Sequence, residues 1–257
     1  MKIILTCLGF IFSLPLFAGE AAQLHVIGFS EAGNYLAFQQ YGITDGEGLA
    51  FANTYFVDVE ANKYAANPVE TRGEPDKTKE KDETTKEDET TQENMPQENM
   101  SIDSVRKDNL KQAESQLKTL KIIKDNRGEQ VISHLLYDVG AEPLTVQFAV
   151  GTPLRGGSYK TYTLKLEERK GEAECFEVGE AKMLTLTLIN DKGEGEKKTK
   201  SLQEDKSIPK SRGCPLRYRI QDVYLYHEEF IVVFLNVFKP GFEGESMRYL
   251  VITGTVN

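Results

Sequence analysis

Three acidic residues stand in two glycine-rich loops. Asp45 and Glu47 lie in Asp45-Gly46-Glu47-Gly48, and Glu243 lies in Pro240-Gly241-Phe242-Glu243-Gly244. Residues 35–48 can be laid over 231–244 without gaps, matching Phe38 with Phe234, Glu47 with Glu243 and Gly48 with Gly244. If the two chain ends form related units that associate, these carboxylates converge. Converging carboxylate oxygens suit a hard cation such as Ca2+, and a carboxyl pair can divide general-acid and general-base work. The competing reading is that acids in exposed turns are solvated and the glycines serve the backbone.

No other constellation spells out a reaction. His25, His134 and His227 are far apart in sequence. None belongs to a His-Glu-x-x-His pair, and neither a Gly-x-Ser-x-Gly elbow nor a phosphate-binding Gly-x-x-x-x-Gly-Lys-Ser/Thr loop occurs. Leu154-Arg155-Gly156-Gly157-Ser158 could offer backbone N–H groups to an anion, but it lies between strands and reads as a hairpin loop. Tyr41, Phe51, Tyr218 and Phe242 fall in or beside loops, where ligand contacts concentrate, although aromatics there also pack over strand ends. No catalytic residue, metal site or cofactor is therefore assigned. Asp45, Glu47 and Glu243 remain the candidate loop ligands.

The N-terminal segment fixes the compartment. Lys2 precedes Ile3–Phe17, which is apolar apart from Thr6, Gly9, Ser13 and Pro15, and Ala18 follows just before Gly19-Glu20. A positive start, an apolar centre and a small residue make a secretory signal. The run is shorter than the roughly 20 residues that span a bilayer. With residues 1–18 removed, the protein is periplasmic or secreted and not integral to a membrane. Cys7 leaves with the signal, so Cys175 and Cys214 remain, and two thiols in an oxidising compartment read as one disulfide. In the chain-entropy model such a loop closure is worth about 4 kcal/mol.

Composition narrows the partners. The chain of 257 residues has 31 Lys+Arg against 40 Asp+Glu. Loss of Lys2 with the signal takes the formal net charge from −9 to −10. Residues 70–100 hold 11 acids and 5 bases, so the remainder is close to balanced. No basic face is left for nucleic acid.

The elements that must position these groups are mostly strands. Residues 19–69 form an N-terminal β motif of three strands, His25–Ser30, Tyr35–Ile43 and Asn53–Val59, with a turn at Ala61-Asn62. Residues 70–100 carry no aromatic or β-branched aliphatic residue and read as a disordered acidic insertion. Residues 101–128 form the one helix, with Ser101 as N-cap and Gly128 as stop. Its apolar stripe, Ile102, Val105, Ala113, Leu117, Leu120 and Ile123, is broken at Asn109. Residues 129–257 return to period two: Leu144–Val150, Tyr159–Glu168, Met183–Ile189, a short piece near Thr199–Leu202, and Arg219–Tyr226. Phe230–Phe238 has no charge and reads as a central strand buried on both faces; Met247–Val256 closes the sheet. This region belongs to the same domain as residues 19–69.

Gly28–Phe38 followed by Tyr55–Val59 resembles the WD-like repeat of periplasmic β-propellers. The whole mature chain resembles an uncharacterised bacterial family of predicted secreted proteins, a domain of unknown function. The residues that carry this likeness are that N-terminal motif with Gln40-Tyr41-Gly42 and Asp45-Gly46, then Ser211–Pro215 with Tyr218, and Pro240–Gly244 with Arg248-Tyr249 and Val251–Gly254. The resemblance implies no reaction. The acidic insertion departs from it, and too few blade-like motifs are present for a closed propeller.

The expectation is an α+β, mainly antiparallel β protein: a sheet system formed from both chain ends, with one packed amphipathic helix. It would act as a non-enzymatic binding or interaction module in the cell envelope, its partner an envelope protein or glycan. The alternative is a carboxylate-dependent hydrolase acting on an envelope substrate. The architecture stands or falls on whether residues 35–48 and 231–244 meet.

Overall fold

The computed structural model describes residues 19–73, 101–135, 144–151, 160–175, 179–191, 197–242 and 244–256. Its strands fall into three antiparallel sheets. The first has β1 (Gln23–Phe29), β2 (Tyr35–Ile43), β3 (Ala50–Asp58) and β4 (Lys63–Tyr64) in that order, with β5 (Val69–Arg72) also paired to β3. The second contains β6 (Glu129–Ser133), and the third is built by β7 (Thr145–Val150), β8 (Lys160–Glu174), β9 (Glu180–Asp191) and β10 (Lys197–Glu204). With β11 (Arg217–Tyr226), β12 (Phe230–Pro240) and β13 (Glu245–Thr255), the second sheet runs β13-β12-β11-β6. α1 (Ile102–Gln112) and α2 (Glu114–Thr119) link the first sheet to the second.

The uncharged β12 run explains the stacking. Successive side chains of a strand point to opposite faces, and here both faces are covered. Ile231, Val233, Leu235 and Val237 pack toward the third sheet, with Tyr162, Leu164, Leu166, Leu184 and Leu186. Phe230, Val232 and Phe234 pack toward the first sheet, with Val26, Phe29, Leu36, Phe38 and Val57. Each such buried side chain contributes roughly 1.5–3 kcal/mol. The middle sheet is thus sandwiched. Ile27, Ala37 and Phe56, on the outer face of the first sheet, are covered by Ala113 and Leu117 of the helices.

The two chain ends therefore meet face to face across adjacent sheets. Phe38 and Phe234 rings pack edge to face at 5.1 Å between centroids. The Gln40 side chain donates to the Tyr249 carbonyl at 2.8 Å and accepts from the Tyr249 N–H at 2.8 Å. Thr253 Oγ1 donates to the Val59 carbonyl at 2.7 Å. β1–β3 belong to an open sheet in this stack and are not blades around a channel, which corrects the WD-like propeller reading.

Several boundaries differ from the sequence expectation. Ser101 does cap the helix, accepting from Ser104 N–H at 3.2 Å, but helix ends at Thr119. From there the backbone is spent on the edge of β1: Ile123 N–H donates to the Phe29 carbonyl, Asp125 N–H to the Ile27 carbonyl, and Phe29 N–H to the Asn126 carbonyl. That approach requires Gly28, where a Cβ would sit 2.0 Å from the Ile123 carbonyl oxygen. Glu70–Arg72 are not part of a disordered insertion but complete β5, paired to Phe51–Asn53. Their order comes from α1. The buried Asn109 side chain donates to the Val69 carbonyl at 2.8 Å and to Thr71 Oγ1 at 3.1 Å. The rest of the expected insertion and the signal segment lie outside the described residues.

Candidate functional site

The loop end that holds Asp45 is assembled from three places in the chain. Thr44 closes the β2–β3 loop, its N–H donating to the Leu49 carbonyl at 2.8 Å and its Oγ1 accepting from Leu49 N–H at 3.1 Å. Asp45 Oδ2 accepts from the Phe242 N–H at 3.0 Å, joining this loop to the β12–β13 turn. The Asp45 N–H donates to Glu20 Oε2 at 3.0 Å, and the other Glu20 oxygen is ion-paired with Arg248. The Arg248 guanidinium in turn lies over the Phe51 ring, 4.7 Å from its centroid.

The three candidate acids have different fates. Asp45 clamps two loops. Glu47 is exposed at the loop tip. Glu243 lies outside the described residues. Among the described residues no group of three or more His, Cys, Asp or Glu could hold a metal ion.

The four loop aromatics also separate. Phe51 and Tyr218 are buried. Tyr41 is half-buried beneath the Arg106 guanidinium, 3.8 Å from its centroid. Phe242 is 79% exposed, its ring resting on Gly46. The Leu154–Ser158 loop is outside the described residues. His25 is half-buried in β1, His134 Nδ1 lies 3.0 Å from the Ile220 carbonyl, and His227 sits in the β11–β12 turn, so the histidines do not gather.

Cys175 and Cys214 are disulfide-bonded, with Cα atoms 5.7 Å apart. Beside the bridge runs a buried polar chain. Arg212 donates to both oxygens of Asp205 and, at 3.2 Å, to Tyr218 Oη, which donates to the Lys182 carbonyl at 2.9 Å. Burial alone would raise the Asp205 carboxyl, but hydrogen bonds from Arg212, Leu184 N–H and Gln203 outweigh it and hold it below its ordinary value. Burial pushes the Tyr218 phenol up to about 12, with Arg212 opposing. Arg212, Cys214 and Tyr218, which carry part of the family resemblance, thus have a structural use.

A second polar cluster escaped the sequence reading. β11 bulges between Ile220 and Asp222, and Arg219, Gln221 and Asp222 are all buried. Gln130 Nε2 donates to Asp222 Oδ1 at 3.1 Å. Burial raises the Asp222 carboxyl despite hydrogen bonds to Ser133 and Gln130. Burial, reinforced by the Asp222 charge, pushes Tyr224 and Tyr249 up to about 12. The available signal was the adjacent polar pair Gln221-Asp222 inside an apolar strand, where a bulge re-aims one side chain.

The fold and its loops define a β-rich protein with tied carboxylates, and no helix among the described residues is long and apolar enough to cross a membrane. Residues 37–255 match the model of a family described as "Predicted secreted protein (DUF2259)", and the chain belongs to that family. No curated protein and no solved structure matches it. Family membership agrees with the periplasmic or secreted location indicated by the N-terminal segment.

Proposed function

We propose that this exported protein is a non-enzymatic binding or interaction module of the cell envelope, engaging an envelope protein or glycan through the loop end that carries Phe242. The observation that carries the reading is the Asp45 clamp. Its Oδ2 holds the Phe242 N–H at 3.0 Å, so a carboxylate available for chemistry is spent on fixing an exposed ring. An aromatic held on a rigid loop presents contact area at little cost in conformational entropy. Glu20 and Arg248 stiffen the same end from behind.

Co-sedimentation of the mature protein with isolated envelope fragments tests this, with release of soluble reducing ends measured in the same tubes. Phe242→Ala should lower the bound fraction about tenfold while leaving the circular-dichroism spectrum unchanged, because the ring is exposed. Neither wild type nor Asp45→Asn should release reducing ends. Release by wild type that is abolished in Asp45→Asn would establish the hydrolase instead.

A further inference from the structure

The middle sheet sends a row of polar side chains into the layer it shares with the first sheet, and their partners there are incomplete. Asp222 stands opposite Phe234, Tyr224 opposite Val232, and Arg219 and Tyr249 flank Asn236 on its two sides. By this register they share the face of β12 that packs on Phe38. Asn236 is fully buried, and its Nδ2 donates to Met247 Sδ at 3.4 Å. Among the described residues its Oδ1 has no hydrogen-bond partner. Buried acceptors are seldom left unmet, so this one calls for a donor that the fold does not supply.

Asp222 is the second sign. Its carboxylate takes hydrogen bonds from Gln130 and Ser133 and feels the His134 charge, yet burial outweighs them. Arg219, on the same face, gives its Nη2 to the Leu135 carbonyl at 2.7 Å. An asparagine at 222 would accept hydrogen bonds from Gln130 and Ser133 without a charge. The carboxylate therefore lowers stability without a structural role that asparagine would not fill, a pattern that accompanies function.

We propose that Asp222, Asn236 and Tyr249 form a site for a small primary amine in its ammonium form, entered past Gln130 and Ser133. Those two residues are exposed on the edge strand β6. What is missing sets the chemistry. An unmet carbonyl oxygen asks for a donor, and a carboxylate whose burial is not offset asks for a positive charge. An ammonium group brings one charge and three N–H donors with no acceptor. Those donors match the Asp222 carboxylate, Asn236 Oδ1 and the Tyr249 phenol, on which the Asn236 amide already acts. Tyr224 and Tyr249 are half-buried within the field of Asp222, and aromatic rings attract cations. Ca2+ takes about six to eight oxygens, several from carboxylates, whereas Asp222 belongs to no group of three or more acids, His or Cys among the described residues. Water supplies donors but no charge, and leaves the cost of the buried carboxylate in place. None of these residues belongs to the Phe242 loop end, and the site stands independently of it.

The test titrates methylammonium into the isotope-labelled mature protein at neutral pH and follows the Asn236 side-chain amide by NMR. Its signals should shift and saturate. Tetramethylammonium has the same charge but no N–H donor and should bind at least about tenfold more weakly. Asp222→Asn removes a buried charge while keeping a hydrogen-bond acceptor, so it stays folded and should lose the saturable shift. Asn236→Leu, followed at the Tyr249 N–H, should weaken binding about tenfold. Methylammonium should also narrow the melting-temperature gap between wild type and Asp222→Asn, because it stabilises only the protein that binds it. No saturable shift in wild type would overturn the site and leave Asn236 to a buried water. A shift that survives in Asp222→Asn, or that sodium or tetramethylammonium matches, would overturn the ammonium assignment, as would undiminished affinity in Asn236→Leu.

Discussion

Asn109 shows how much one side chain can hold. It is fully buried in α1, and all four of its hydrogen-bonding capacities are met: Gln39 Nε2 donates to its Oδ1 at 2.9 Å and Thr54 Oγ1 at 2.5 Å, while its own amide donates to Val69 and Thr71. In the sequence it reads as a break in the apolar stripe, because periodicity registers a polar residue without showing its partners. Replacing it with Ala leaves several buried polar groups unpaired. Asn109→Ala should cost about 2–4 kcal/mol in urea unfolding, and β5 should lose protection first in hydrogen exchange. Asp205 and Asp222, both buried, differ in sign. The Asp205 carboxyl is held down by Arg212, Leu184 N–H and Gln203 against the cost of burial. Its stabilisation is present above the ordinary carboxylate value of about 3.9 and is lost as pH falls through its lower folded value. The Asp222 carboxyl is raised by burial. Its ionisation opposes folding, and that penalty grows as pH rises from about 3.9 through its higher folded value. At pH ~7, thermal unfolding of Asp222→Asn should occur above wild type and that of Asp205→Asn below it, both differences shrinking toward acid. A lower melting temperature for Asp222→Asn at neutral pH would contradict the assignment of a carboxyl whose burial outweighs its hydrogen bonds.

Strands with alternating apolar residues, such as β8 at Tyr162, Leu164 and Leu166, were legible because burial on one face imposes period two. The doubly covered β12 was equally legible from its uncharged, mostly apolar run Phe230–Phe238. What sequence could not show were segments ordered by partners. β5 depends on the Asn109 amide, and β6 is a short edge strand lying against β11. The ends of β8 and β9 nearest the disulfide carry mostly polar residues and are joined by the Lys170–Glu180 ion pair at 2.5 Å. The helix ends early for the same reason: residues after Thr119 find their partners on β1. The disulfide, expected from cysteine count alone, ties the end of β8 to the connector before β11. Replacing both Cys175 and Cys214 by Ser should cost up to about 4 kcal/mol in urea unfolding. The loss should fall mainly on the third sheet and the Asp205–Arg212–Tyr218 chain. An unchanged unfolding midpoint would mean the bridge does not constrain the fold.

At the scale of the molecule, the weak correspondence between residues 35–48 and 231–244 does place two strands near each other, but in facing sheets and not within one ladder. Cross-strand hydrogen bonding would have demanded a register. Face-to-face packing asks only for complementary side chains, and Phe38 against Phe234 supplies them. Of the candidate site, the position of Asp45 was legible and its role was not. An acid in a glycine-rich loop looks the same in sequence whether it faces solvent or accepts a bond from the Phe242 N–H. The joining of the two chain ends is what builds that loop end, and it can be seen directly in solution. A nuclear Overhauser spectrum of the mature protein with labelled phenylalanines should show cross-peaks between the Phe38 and Phe234 rings, whose centroids are 5.1 Å apart. Assigned rings with no such cross-peak would contradict the facing of the two ends, and the loop end they form would go with it.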